Sequence, residues 1–211
     1  MPIKLPKNRQ RGIGLVEVIL VVAIAGFMIV LAINGVANSG RAQFDDGMRQ
    51  VLNNFRQVQN EASSGQAPAQ NLAGKELVGK GIVFEGEAPT VAYTNYWLVR
   101  SGEGAADRNV IQKSDLNGVK VNLPAGIKIT GFQTLAGSGT KGTLNFVNLT
   151  GSTSALPYFF ASSEFVGDVA KADKYTASQT GVVVISFEGS KADYKATIEV
   201  NTATGAMELK Q

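Results

Sequence analysis

The sequence predicts an α+β protein: a long N-terminal α-helix packed on a C-terminal antiparallel β-sheet head. Three observations carry this. Residues 13–33 form an apolar run with a single charge, Glu17. From Phe44 to Ala62 apolar residues recur at steps of four and three, the period of a helix with one buried face. From about residue 81, short branched or alternating segments are separated by turn residues. The 211 residues suit one ordinary domain plus an appendage. Residues 1–12 read as a basic leader, 13–63 as the helix, 64–80 as a loop and 81–211 as a β-rich globular head.

The leader holds Lys4, Lys7, Arg9 and Arg11 and no acid. Removing those four from the 20 bases leaves 16 against 17 acids, so the formal net charge of +3 belongs to the leader. It reads as positive-inside orientation, not as a nucleic-acid surface. The chain has no Cys and no His. That excludes disulfides, thiolate and imidazole metal sites, Cys nucleophiles and His-based triads. No cofactor, metal site or catalytic residue set is readable.

As a helix, residues 13–33 span about 31 Å, close to a hydrocarbon core of ~30 Å. The bases before the run stay cytoplasmic, so the head faces outward. Two plainer readings compete: a simple anchor, or a signal peptide cut near Gly35-Val36-Ala37. A signal peptide's apolar core is only ~7–15 residues long. Glu17 also needs a reason, because an acid at mid-membrane costs about 2.5–3.5 kcal/mol. No Lys or Arg lies between Ile13 and Ile33. Cleavage between Gly12 and Ile13 creates a new α-amino cation. A neighbouring copy's amine reaches Glu17 more freely than the chain's own. Unit charges at ~4 Å in an effective dielectric of ~20 attract by roughly 4 kcal/mol before desolvation. The charge pattern therefore points to cleavage followed by self-association.

Gly12-Ile-Gly-Leu-Val-Glu17 with its apolar continuation resembles the class III signal of type IV pilins and type II secretion pseudopilins. The resemblance implies cleavage after Gly12 by a prepilin peptidase, N-methylation of Ile13, and a role for Glu17 in docking into a growing filament. It also implies other pilin or pseudopilin subunits, an inner-membrane assembly platform and membrane lipid as partners. Two positions depart from the family's pattern. Ile13 replaces the more usual Phe, and Gly14 stands where Thr is common.

Beyond Ile33, Asn34-Gly35 and Asn38-Ser39-Gly40 are places for a helix to bend or fray. The stripe Phe44, Met48, Val51, Phe55, Val58 and Ala62 then packs on a folded domain, with Arg41, Asp45, Arg49, Arg56 and Glu61 on other faces. Ser63-Ser-Gly65 and Pro68 stop it. A membrane segment running straight into a domain's core is what the family resemblance also implies.

In the head, strands are expected at Ile82–Phe84, Val91–Val99, Lys120–Leu123, Ile127–Ile129, Thr143–Val147, Val182–Phe187, Tyr194–Val200 and Met207–Leu209. Pro124-Ala-Gly126 marks a turn, and the last two strands read as a hairpin. One antiparallel sheet or two packed sheets follow. The final hairpin resembles the closing hairpin of minor-pilin and H-type pseudopilin heads, and Leu123–Ile129 resembles a strand–turn–strand found there.

Other chemistry fails on spacing. Gly137-Ser-Gly-Thr-Lys-Gly-Thr143 lacks the Gly-Lys-Ser/Thr of a phosphate loop and reads as a hairpin tip. Asp45 and Asp46 are adjacent on a helix and point about 100° apart. Residues 102–107 are too sparse in ligands for a calcium loop. Of Tyr93, Tyr96 and Trp97, at least two are expected in the core. The resulting reading is a structural subunit and not an enzyme: a minor subunit of a type IV pilus or type II secretion pseudopilus, stored in the inner membrane and then part of a surface or periplasmic filament. The rival is a single-pass membrane-anchored extracytoplasmic binding module. An anchored hydrolase is the weakest, with only Ser–Lys chemistry open to it.

Overall fold

The computed structural model describes residues 14–64, 74–84, 89–101, 110–113, 118–134, 137–140, 142–148, 156–160, 166–168 and 181–211. The chain divides into two units, Met1–Ala42 and Gln43–Gln211. Helix α1 is assigned over Leu15–Ser64, and both glycine-containing pairs after Ile33 lie within it. Its first turn closes on the Gly14 carbonyl, which accepts from the amides of Glu17 at 2.9 Å and Val18 at 3.2 Å.

The second unit combines the rest of α1 with twelve strands among the described residues. These are β1 (Lys75–Phe84), β2 (Ala92–Ser101), β3 (Val110–Lys113), β4 (Val119–Asn122), β5 (Lys128–Thr134) and β6 (Gly137–Gly139). The chain continues with β7 (Gly142–Val147), β8 (Leu156–Phe160), β9 (Val166–Asp168), β10 (Val182–Glu188), β11 (Lys195–Asn201) and β12 (Met207–Lys210). One seven-stranded sheet runs β8-β7-β1-β2-β3-β9, with β4 also paired to β2. A five-stranded sheet runs β12-β11-β10-β5-β6. Every pairing is antiparallel. The sheets are stitched where Thr90 and Ile129 exchange backbone hydrogen bonds of 3.0 and 2.8 Å.

Alternation decides what each strand buries. In β10 and β11, Val183, Ile185, Phe187, Ala196, Ile198 and Val200 point inward while Ser186, Glu188, Lys195 and Glu199 do not. The helix stripe Phe44–Ala62 joins these side chains and those of the first sheet in one core. Phe55 sits edge-on to Phe84 and Tyr93, at 6.0 and 5.5 Å between ring centroids. Phe84 meets Phe132 of the other sheet at 4.8 Å, so one aromatic chain spans helix and both sheets. Arg56 and Gln59 of α1 donate to the carbonyls of Met207 at the start of β12 and of Gly205 in the turn before it, each at 3.0 Å.

The expected turn at Pro124–Gly126 is present, closed by Ile127 N–H to Pro124 C=O at 3.0 Å. The closing hairpin is also present. The Asn201 side chain accepts from the amides of Ala203 and Thr204 at 3.0 Å, fixing the turn before β12.

The loop expected over 64–80 is shorter. Ser64 ends the helix and Lys75 already begins β1; residues 65–73 lie outside the described residues. Glycines disguised this strand. A Cβ on Gly79 collides with the Phe146 carbonyl of β7, and one on Gly81 lies 2.6 Å from the Tyr96 hydroxyl. The strand therefore needs the residues that lower strand propensity. Gly137–Gly139, expected as part of a hairpin tip, pairs with β5 as an edge strand. Strands β3, β8 and β9 had no counterpart in the sequence reading.

Candidate functional site

Glu17 occupies the first turn of α1, where a carboxylate complements the positive end of the helix dipole. It is exposed, and so is every residue from Leu15 to Ile33. Leu15 is 78% exposed and Phe27 64%. Leu15–Ile33 is long and apolar enough to cross a membrane, and none of it is buried by the rest of the protein. A core helix of the same composition would be covered by its own domain. This one is a candidate single-pass anchor whose apolar surface calls for lipid or other helices. Gly12 and Ile13 lie outside the described residues, as does the whole leader, so of the three expected site residues only Glu17 is placed.

The head separates the other candidates by burial. Tyr93 and Tyr96 are both core, on opposite faces of β2, while Trp97 is half-buried. Asp45 is partly buried and Asp46 exposed, so they share no site. Lys141 and residues 102–107 lie outside the described residues. Among the described residues, no group of three or more acids is placed to hold a metal ion.

A polar cluster that sequence reasoning missed lies at the end of α1. Lys80 of β1 donates to the Glu61 carboxylate and holds its ammonium 4.5 Å from the ring centroid of Trp97, its cross-strand partner. Gln57 donates to the other Glu61 oxygen at 2.8 Å. Burial pushes the Glu61 carboxyl up, but the bonds from Lys80 and Gln57 and the ammonium charge outweigh it, and the group ends below its ordinary value. An acid near a helix C-terminus opposes the dipole, and Lys80 offsets that. Nearby, Asn148 Nδ2 donates to the Ser63 carbonyl at 3.2 Å, tying β7 to the end of the helix. The cluster fixes the helix on the sheet. Residues 61 and 80 come from different elements, and nothing in their spacing announces the pair.

On the opposite face of the first sheet, Tyr96, Gly81 and Asn145 stand in one row across β2, β1 and β7. The Tyr96 hydroxyl reaches over Gly81 to donate to Asn145 Oδ1. Burial pushes the Tyr96 phenol well above the ordinary tyrosine range, opposed in part by Thr143 and Asn145. No protein-family pattern, curated protein or solved structure matches this chain.

Proposed function

We propose that this chain is a prepilin-like structural subunit, cleaved after Gly12, N-methylated at Ile13 and assembled as a minor component of a type IV pilus or type II secretion pseudopilus. One observation carries the reading. The surface of α1 is apolar and exposed on all sides over Leu15–Ile33, and the same helix supplies the core stripe of the head. Such a helix has two successive uses. In the inner membrane, lipid covers it and the head lies outside. In the filament, neighbouring helices replace the lipid, by packing where lipid is displaced and at about 25 cal/mol per Å² where water is. Glu17 then sets register against a neighbour's Ile13 amine. The prepilin peptidase and the inner-membrane assembly platform are the partners this route requires. Nothing in the charge pattern calls for nucleic acid.

The test is the intact mass and N-terminal residue of the chain from its native membrane. A start at N-methylated Ile13 is expected. Retention of residues 1–12 overturns the reading and leaves a membrane-anchored binding module. A start at Asn38 points to an ordinary secretory signal.

A further inference from the structure

Strand β4 fills only part of one side of β2. It pairs with Ala92–Asn95, while β3 takes Leu98–Arg100 further along the same side. Hydrogen-bond alternation fixes which way β4 turns its backbone. Leu123 N–H donates to Val91 C=O at 2.9 Å. Stepping back by two, Val121 and Val119 turn their amides and carbonyls to Tyr93 and Asn95. Lys120 and Asn122 therefore turn theirs away from β2. Among the described residues no strand lies beyond β4, and no backbone group meets those of Lys120 and Asn122. Both residues are exposed. The side chains sort by face. Val121 is partly buried against the core, and Val119 on the same face is 66% exposed. Lys120 stands on the other face, across from Thr94.

We propose that β4 is a docking edge for an extended segment of another protein, added as a further antiparallel strand and carrying an acidic residue between two apolar ones. The form of the occupant follows from the edge. Outward N–H and C=O groups recur at every second residue, about 6.8 Å apart, and an extended backbone matches that repeat. Its sequence follows from cross-strand pairing. The residue opposite Lys120 shares its face, and an acid there pairs with the ammonium. The residues on either side of that acid fall opposite Val119 and Val121. Those are the pairs without mutual hydrogen bonds, where side chains approach most closely, so apolar groups there cover Val119.

A lysine on a short edge strand is a common guard against indiscriminate pairing. On β4 the guard also selects. A strand with a base opposite Lys120 is repelled, and one with an acid is drawn in. A second β4 is a poor occupant, because it brings its own lysine to the edge. The docking edge belongs to the head alone and is present whether or not residues 1–12 are removed.

The test uses the isotope-labelled full-length chain in detergent micelles and the peptide acetyl-Thr-Val-Glu-Val-Thr-amide. With peptide in excess, amide exchange at Lys120 and Asn122 is expected to slow severalfold. Exchange at Val119 and Val121, already paired to β2, is expected to stay as it is. Replacing Glu by Lys in the peptide should weaken binding severalfold, and Lys120→Glu should reverse the preference. Lys120 is exposed, so that variant keeps the fold. Asn122→Pro removes one outward N–H at a position where an edge strand tolerates proline. It should weaken binding at an unchanged melting temperature. Unchanged exchange at Lys120 and Asn122 up to the peptide's solubility limit overturns the docking edge. Protection there with no preference between the Glu and Lys peptides overturns the acidic occupant. Protection that survives Asn122→Pro in full overturns strand addition. None of these readouts depends on the N-terminal residue, so failure of the edge and failure of the filament reading stay separate.

Discussion

The hydroxyl of Tyr96 on β2 crosses the β1 backbone at Gly81 and donates to Asn145 Oδ1 on β7. One side chain thereby ties together three neighbouring strands on the sheet face away from α1. Only glycine leaves room beneath the ring. Asn145 Nδ2 is buried without a hydrogen-bond partner among the described residues, so the amide depends on this one contact.

Tyr96→Phe keeps the ring and strands the second polar atom of Asn145. A loss of about 1–3 kcal/mol is expected, read as a lower denaturant midpoint at unchanged slope. Gly81→Ala attacks the same row by overpacking, with a similar loss of roughly 1–3 kcal/mol. The two changes share partners, so the double variant should lose less than their sum. Strict additivity would separate the ring from the glycine.

Glu61 gives the head an acid-sensitive contact. Its carboxyl is held below the ordinary value of 4.5. A depressed acid stabilises fully above the unfolded value and loses that contribution as pH falls through the folded one. Below about pH 4.5 the Lys80 contact should therefore weaken. Trp97 is the chain's single Trp and lies against the same ammonium. Its fluorescence should shift on that acid limb, and Glu61→Gln should abolish the shift. An unchanged titration in that variant would place the transition elsewhere.

Phe55 contacts the first sheet through two aromatic edges and is fully buried. Phe55→Ala should cost about 3–5 kcal/mol. Exposed Arg49→Ala should stay within about 0.5 kcal/mol. Thermal melts of the two variants distinguish a helix that holds the core from one that merely lies on it.

Glu17→Ala should leave cleavage after Gly12 largely intact and impair incorporation into filaments. Comparing N-terminal sequence with filament content measures both. Normal incorporation would remove the pairing assigned to Glu17.

The helix was legible because its stripe at steps of four and three has a single explanation, and Met48 and Phe55 are indeed buried. The closing hairpin was legible because Asn201 and Gly205 are turn residues between alternating strands. Lys75–Gly81 of β1 was not, because packing between β2 and β7 demands Gly79 and Gly81, the residues that argue against a strand. The Glu61–Lys80–Trp97 cluster was hidden for a different reason. It forms only when the end of the helix meets a central strand, and no local period records that meeting. Glu17 was conspicuous because a charge inside an apolar run stands out without any tertiary context.

Arg56 reaches from α1 to the Met207 carbonyl on the outermost strand of the five-stranded sheet. An open strand edge is a template for aggregation. Here a guanidinium already occupies an acceptor on that edge, and Lys210 pairs with Glu199 at 2.6 Å beside it. The last strand is thus partly plugged by charge, and edge-to-edge pairing of two heads through it is discouraged.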